Sequence, residues 1–319
     1  MNNFKNKLYI VVPCYNEEEV LPITAKTLLN KVNILKSNNI ISCDSKVLFV
    51  NDGSNDNTLD YIKKLNDIDN TFIGISLSKN RGHQNALLAG LMYAKDRADI
   101  IISMDADLQD DVNAVDEMID KYYNGCDIVY GVRSDRKNDT VFKKSTAQAY
   151  YKIMNKIGVE LVYNHADYRL MSKRAVEALS EFKEKNLFLR GIVPKLGFKT
   201  DCVYYERGKR QAGESKYPLR KMLSFAIQGI TSFSVKPIRL ITFGGFLMFI
   251  ISMITLIVSI VKWHNGVTVT GWTSLICSIW AIGGIIMVSL GIIGEYIGKI
   301  YIETKQRPNY FIDEIIGDE

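Results

Sequence analysis

Two stretches without a charge limit what this chain can fold into. From Leu240 to Val261 it runs 22 residues, and from Gly271 to Gly294 another 24, with no Asp, Glu, Lys or Arg. At about 1.5 Å of rise per residue, each is long enough as a helix to cross a hydrocarbon core of roughly 30 Å. A wholly soluble chain is excluded, as are a disordered one and a disulfide-stapled miniprotein. The residues ahead of Leu240 are ample for one sizeable folded core.

Charge fixes the expected orientation of these stretches. The connector from Lys262 to Thr270 is too short for a domain, so the two are expected as a transmembrane hairpin. Between Arg207 and Arg239 eight Lys and Arg face Glu214 alone, a local charge of +7. The whole chain carries +5, so the remainder sums to −2 (5 − 7). Lys299, Lys305 and Arg307 follow the second stretch, and Lys262 alone sits between the two. This asymmetry predicts both termini in the cytoplasm. A basic block beside a membrane points to anionic lipid or phosphate as partner, not to nucleic acid. Leu219, Met222, Leu223, Ala226, Ile227 and Ile230 fall on one helical face, expected to lie in the membrane interface. Five scattered cysteines without C-x-x-C spacing suit a reducing compartment and argue against zinc. The apolar run Leu8–Val12 is too short for a secretory leader, so the folded part is expected to stay in the cytosol.

The first half alternates strand and helix signals. Short β-branched runs at Leu8–Val12, Val47–Val50, Phe72–Ile75, Ile100–Ser103 and Ile128–Val129 predict strands. Leu21, Ala25, Leu28, Val32 and Leu35 repeat at helical spacing between the first two; Leu59, Ile62 and Leu65 form a shorter pattern, and Ala86–Ala94 another. Such alternation implies a mainly parallel sheet with helices on both faces and ligands at the strands' carboxyl ends. Past Arg133 the pattern loosens. A polar stretch at Ser134–Thr140 leads to an expected helix at Phe142–Ile157, then to a loop carrying Asp167-Tyr168-Arg169.

Three strand ends carry chemistry. Val-Pro-Cys-Tyr-Asn-Glu-Glu, Val12 to Glu18, closes the first strand, where Pro13 and Asn16 are expected to break it. Tyr15 and Glu17 can there flank a nucleoside; the plainer alternative is an ordinary turn whose acids suit a helix start. No G-x-G-x-x-G follows, which disfavours a dinucleotide site. Asp52, in the run Asn51 to Thr58, ends the neighbouring strand and can accept from a nucleobase or ribose, while Gly53 permits a tight turn and Asp56 or Asn57 a helix cap. Asp105-Ala106-Asp107 ends the fourth strand. Two carboxylates one residue apart can hold a hard divalent cation that neutralises a diphosphate. A bare D-x-D is weak; on the same sheet edge as Glu17 and Asp52 it is not. His83 and His165 read as surface or loop residues.

Together these motifs resemble the family-2 glycosyltransferases of GT-A fold. Asp167-Tyr168-Arg169-Leu170-Met171 and Arg210-Gln-Ala-Gly213-Glu-Ser215-Lys216 are similar to motifs of the polyprenyl-phosphate branch, which includes dolichyl-phosphate mannose synthases and bacterial undecaprenyl-phosphate glucosyltransferases. The two apolar stretches and Arg307-Pro308-x-Tyr310 resemble the latter. The resemblance implies that Pro13, Tyr15, Glu17 and Asp52 hold the nucleoside. Asp105, Ala106, Asp107 and Gln109 would take the diphosphate with Mg²⁺ or Mn²⁺, and Arg133 would lie near the phosphates. Arg169, Arg210, Ser215 and Lys216 would grip the acceptor phosphate, and Asp167 matches a position proposed as catalytic base. Arg81 and Gln84 stand where members vary, so their roles stay open.

The implied activity is inverting, metal-dependent transfer of a sugar, glucose from UDP-glucose, to polyprenyl phosphate, by a membrane protein that is a homo-oligomer, a tetramer by resemblance. The expected layout is a cytoplasmic GT-A domain (1–216), an amphipathic juxtamembrane segment (217–239), the hairpin (240–294) and a cytoplasmic tail (295–319). A processive polysaccharide synthase would want Q-x-x-R-W and more spans. A membrane-anchored nucleotide-sugar-binding protein without turnover would not need the acidic pair.

Overall fold

The computed structural model describes residues 5–134, 165–184, 189–206 and 271–317, with scattered positions at 208 and between 241 and 265. Two compact units divide the chain: Met1–Asn155, Glu160–Pro218 and Arg307–Glu319 form one, Lys156–Val159 and Leu219–Gln306 the other.

The first unit opens with the expected alternation: β1 (Leu8–Cys14), α1 (Leu21–Ser37), β2 (Lys46–Asn51), α2 (Thr58–Ile68), β3 (Phe72–Leu77), α3 (His83–Ala94), β4 (Ile100–Ser103), α4 (Ala114–Tyr123) and β5 (Ile128–Arg133). β6 (His165–Ser172), α5 (Lys173–Ser180), α6 (Leu189–Ile192) and β7 (Thr200–Tyr205) follow, and β8 (Ile312–Ile316) comes last. Among the described residues the sheet has eight strands in the order β7-β5-β6-β4-β1-β2-β3-β8. β4, β1, β2 and β3 run parallel, whereas β6 lies antiparallel between β4 and β5. Every residue of β1 and β3 is buried. That is why these strands read as continuous apolar runs: helices cover both faces. Each fully buried Leu, Ile, Val or Phe contributes roughly 1.5–3 kcal/mol.

The chain winds outward from β1 through β2 to β3, then returns to place β4 on β1's other side. This reversal opens a crevice at the carboxyl ends of β1 and β4. α3 lies close over β1 and β2, because Gly90 has no side chain. A Cβ there would fall 2.3 Å from Val11 Cγ1 and 2.8 Å from Val50 Cγ2.

Two expectations need correction. β1 does not break at Pro13, which stays in the ladder opposite Val50. The β1–β4 pairing ends at Val11↔Ser103, so the missing Pro13 N–H deprives no partner strand. Asn16, with φ 54°, makes the turn instead. Asp167-Tyr168-Arg169 is not a loop but the middle of β6, pairing with β4 through Ser103↔Arg169. Within the stretch expected as a tail, β8 adds antiparallel to β3 and forms the sheet's edge, a strand the sequence does not signal.

In the second unit, α7 (Trp272–Thr304) runs past the expected end at Gly294. Among the described residues, one segment is long and apolar enough to cross a membrane: Ile282–Thr304, 23 residues whose most apolar window has mean hydropathy 1.6 and is not buried. Most of the expected first span, and the whole of the expected helix at Phe142–Ile157 and of the amphipathic face from Leu219 to Ile230, lie outside the described residues.

Candidate active site

The loops after β1 and β2 are tied together at the crevice. Asn16 N–H donates to Ser54 Oγ (3.0 Å), and Asn55 N–H to Asn16 Oδ1 (2.9 Å). Glu17 N–H donates to Thr58 Oγ1 (3.0 Å), and Glu18 N–H to Asp56 Oδ2 (3.2 Å). Asp56 Oδ1 in turn accepts from Thr58 N–H at 3.1 Å, so Asp56 orders the start of α2 as its sequence position suggested. Tyr15 is left 42% exposed beside these loops. Two neighbouring residues sit deeper. Pro13 lies within β1, and Ala106 is buried with its carbonyl accepting from Thr24 Oγ1 on α1 (2.6 Å). Both shape the floor of the crevice.

Asp52 is buried at the end of β2, and both its oxygens are engaged. Oδ1 accepts from Arg81 N–H at 2.7 Å and Oδ2 from Gly82 N–H at 2.8 Å. Burial raises its pKa above the ordinary carboxyl range, partly offset by these two amides. Each oxygen keeps a second lone pair for a ligand donor.

At the end of β4, Asp107 Oδ1 accepts from Gln109 N–H (3.1 Å), and Leu108 between them holds φ 52°. A branched residue in the left-handed region costs about 1–2 kcal/mol, and such strain clusters at functional sites. Asp105 lies beside His83 Nε2, 3.5 Å from Oδ1. Withdrawal from water pushes the Asp105 carboxyl up; His83 opposes this, and the charges of Asp110, Asp167 and Asp107 add to it. This crowding of acids is what a divalent cation would relieve, and two hard carboxylates suit Mg²⁺ or Mn²⁺. Among the described residues no three His, Cys, Asp or Glu side chains form a closed metal cage. Asp105 and Asp107 are the two carboxylates that could hold such an ion.

The antiparallel crossing of β6 brings a second charged group to the same edge. Asp167 is 4% exposed, and its Oδ1 accepts from Arg169 at 2.9 Å. Oδ2 accepts from Arg190 (2.9 Å) and Gln84 Nε2 (3.1 Å), and His83 Nε2 lies 3.6 Å away. Burial alone would raise its pKa, but Arg190, His83 and Arg169 outweigh that and hold it well below the carboxylate range. Arg169 itself is fully buried, under the sheet edge and not open to ligand. Arg133, at the end of β5, donates to Asp110 Oδ1 (3.1 Å) and Tyr205 Oη (3.3 Å), which aim it along the same edge.

The structure therefore collects Tyr15, Glu17, Asp52, Asp105, Asp107, Gln109, Arg133, Asp167 and Arg169 at one end of the sheet. Arg210, Ser215 and Lys216 lie outside the described residues. Sequence reasoning missed three members. His83 is no stray surface residue; it opens α3 between Asp105 and Asp167. Gln84 and Arg190 reach Asp167 as well. A polar His-Gln pair at the start of an otherwise apolar helix was the available signal for the first two; a lone Arg190 offered none. His165 takes the first position of β6.

Comparison with known proteins gives the family. The family model described as "Glycosyl transferase family 2" matches residues 9–180. The chain belongs to glycosyltransferase family 2. It is 53% identical to the glycosyltransferase YkoT of Bacillus subtilis over 306 residues, 96% of this chain and 91% of that one. It is 40% identical to the prophage bactoprenol glucosyl transferase homolog of Escherichia coli K12, covering 97% and 99% of the two chains. With the bactoprenol glucosyl transferase of Shigella phage SfV it shares 39% identity, covering 96% and 98%. The molecule is thus a family-2 glycosyltransferase with a GT-A-like, mainly parallel α/β fold.

Proposed function

We propose that this glycosyltransferase moves glucose from UDP-glucose to a polyprenyl phosphate at the cytoplasmic leaflet, with inversion at the anomeric carbon. The observation that carries the reading is the meeting, at one sheet edge, of the carboxylates ending β1, β2 and β4 with the buried Asp167–arginine cluster. Near-full-length similarity to bactoprenol glucosyl transferases supports the acceptor.

In this reading Tyr15, Glu17 and Asp52 hold the nucleoside, and Asp105, Asp107 and Gln109 face the diphosphate. A bound divalent cation would supply charge neutralisation for the departing diphosphate. Arg133 adds a fixed positive charge on the same side, and Arg210, Ser215 and Lys216 position the acceptor. An acceptor oxygen attacks the anomeric carbon. A new C–O bond forms as the bond to the donor's β-phosphate breaks, and the nucleoside diphosphate leaves with the electron pair. A phosphate monoester has a second pKa of about 6, so this nucleophile needs no strong base at neutral pH. Asp167, kept ionised by its partners, orients Arg190, Gln84 and His83 and does not take a proton. The apolar stretches 240–261 and 271–294 anchor the enzyme as a hairpin with both ends cytoplasmic, in a homo-oligomer.

Membranes bearing the protein, given radiolabelled UDP-glucose and polyprenyl phosphate, should pass label into organic-extractable lipid. Chelation should stop transfer, and Mg²⁺ or Mn²⁺ should restore it. Donor binding without label transfer from any nucleotide sugar would replace the reading with a binding protein lacking turnover.

A further inference from the structure

Asp52 is held from the far end of the chain. The segment Ser78–Gly82, between β3 and α3, supplies the two amides that grip its carboxylate. On one side this segment presses against the turn after Asp52. Gly53 has φ +62°, and a Cβ there would fall 2.5 Å from the Lys79 carbonyl carbon and 2.6 Å from the Asn80 nitrogen. On the other side stands the C-terminal strand. Ser78 N–H donates to the Phe311 carbonyl (3.0 Å), extending the β3–β8 ladder past a register shift at Ser76/Leu77. The Arg81 guanidinium lies over the Phe311 ring, 6.0 Å from its centroid, the outer reach of a cation–π contact. Phe311 is 54% exposed, so the core does not account for its placement.

Building on the donor reading of Asp52, we propose that Phe311 and the start of β8 form a positioning element of the donor site. They brace the Ser78–Gly82 segment so that the Arg81 and Gly82 amides fix both Asp52 oxygens. Because His83 and Gln84 begin the next helix, the same brace sets where these two side chains meet Asp105 and Asp167. The last residues of the sequence thus belong functionally with strand β2. Phe311 touches no substrate in this scheme; it acts through Arg81.

The test uses full-length protein in detergent micelles and UDP as probe. Phe311→Ala should weaken UDP binding about tenfold and raise the donor KM similarly, leaving the acceptor KM within twofold. Phe311→Trp, which keeps a ring for Arg81, should restore wild-type binding. Arg81→Ala should weaken UDP binding too, and adding it to Phe311→Ala should cost little more, because the two act in series. Glu314→Ala removes a different β8 contact, the exposed pair with Lys63 at 2.8 Å, and should leave UDP binding unchanged. Asp52→Ala reports on the underlying reading. If it weakens UDP binding while Phe311→Ala does not, the brace is wrong and the donor assignment stands. If Asp52→Ala itself leaves UDP binding intact, the donor assignment falls. Equal loss of both KM values, kcat and Tm in Phe311→Ala would reduce the strand to a stability role and overturn the proposal.

Discussion

The two halves of the sheet edge treat their acids in opposite ways. Along β1, β2 and β4, the carboxylates of Asp52 and Asp107 accept from backbone amides, and Asp105 sits among other acids with its pKa raised. On β6 and beside β5, Asp167 and Asp110 are buried against arginines. Neutral amides leave a carboxylate's charge unspent, so the parallel half stays electrostatically ready for a cation and an incoming diphosphate. Arginine pairing offsets much of that charge, so the acids of the crossed half are largely satisfied within the fold. It can fix geometry but has little attraction left for metal. One edge therefore holds a responsive region beside a rigid one.

The sharpest way to break this contrast is to neutralise the responsive side. Asp105→Asn or Asp107→Asn should abolish transfer and remove any metal-dependent tightening of donor binding, because a single carboxylate cannot substitute for a pair. Both variants should fold, since Asn keeps the size and most of the hydrogen-bonding capacity of Asp. Near-normal turnover in both would place the cation elsewhere or remove it.

On the rigid side the expected loss is smaller and of another kind. Asp167→Asn should cut kcat about 100-fold, the size expected when positioning side chains shift by about an ångström. It also strips fully buried Arg169 of its partner, a change that costs roughly 3–5 kcal/mol, so Tm should drop and kcat must be read well below the new midpoint. The residual rate should be flat in pH. Recovery as pH rises would mean that Asp167 accepts a proton, contrary to its depressed pKa.

The same contrast explains what was legible in the sequence. β1 to β5 and the first three helices announce themselves, because buried parallel strands are unbroken Val, Ile and Leu runs. The Asp52 and Asp105 strand ends follow from where those runs stop. β6 does not read as a strand, because its Asp167 and Arg169 interrupt the apolar pattern. Their mutual pairing permits burial, and pairing across a fold is invisible in one dimension. β8 hides for another reason: Ile312-Asp-Glu-Ile-Ile is a mostly exposed edge strand whose place depends on a partner some 240 residues away, β3. His83 escaped notice because its role needs Asp105 and Asp167, two strands that only the folded sheet brings together.

The smallest predicted effect lies at the opposite end of the crossed half, away from the crevice. Asp127, just ahead of β5, binds the Arg174 guanidinium through both oxygens and accepts from Ser172 Oγ at 3.0 Å. The Arg174 hydrogen bond is the main reason its pKa falls below the ordinary value; burial works against it, and Ser172 helps. A depressed folded-state pKa stabilises the fold above the unfolded pKa of about 3.9, and that share is lost as pH falls through the lower folded value. Asp127→Asn should therefore lower Tm only slightly at pH 7, because Arg174 is 65% exposed and solvent screens the pair. Below about pH 4 the wild-type advantage should shrink toward zero, and the two melting curves should converge. Transfer activity should not change at any pH where both proteins are folded. A loss of turnover in Asp127→Asn would show that the rigid half transmits strain along β5 to Arg133. In that case the division of the edge into a responsive and a fixed side would fail.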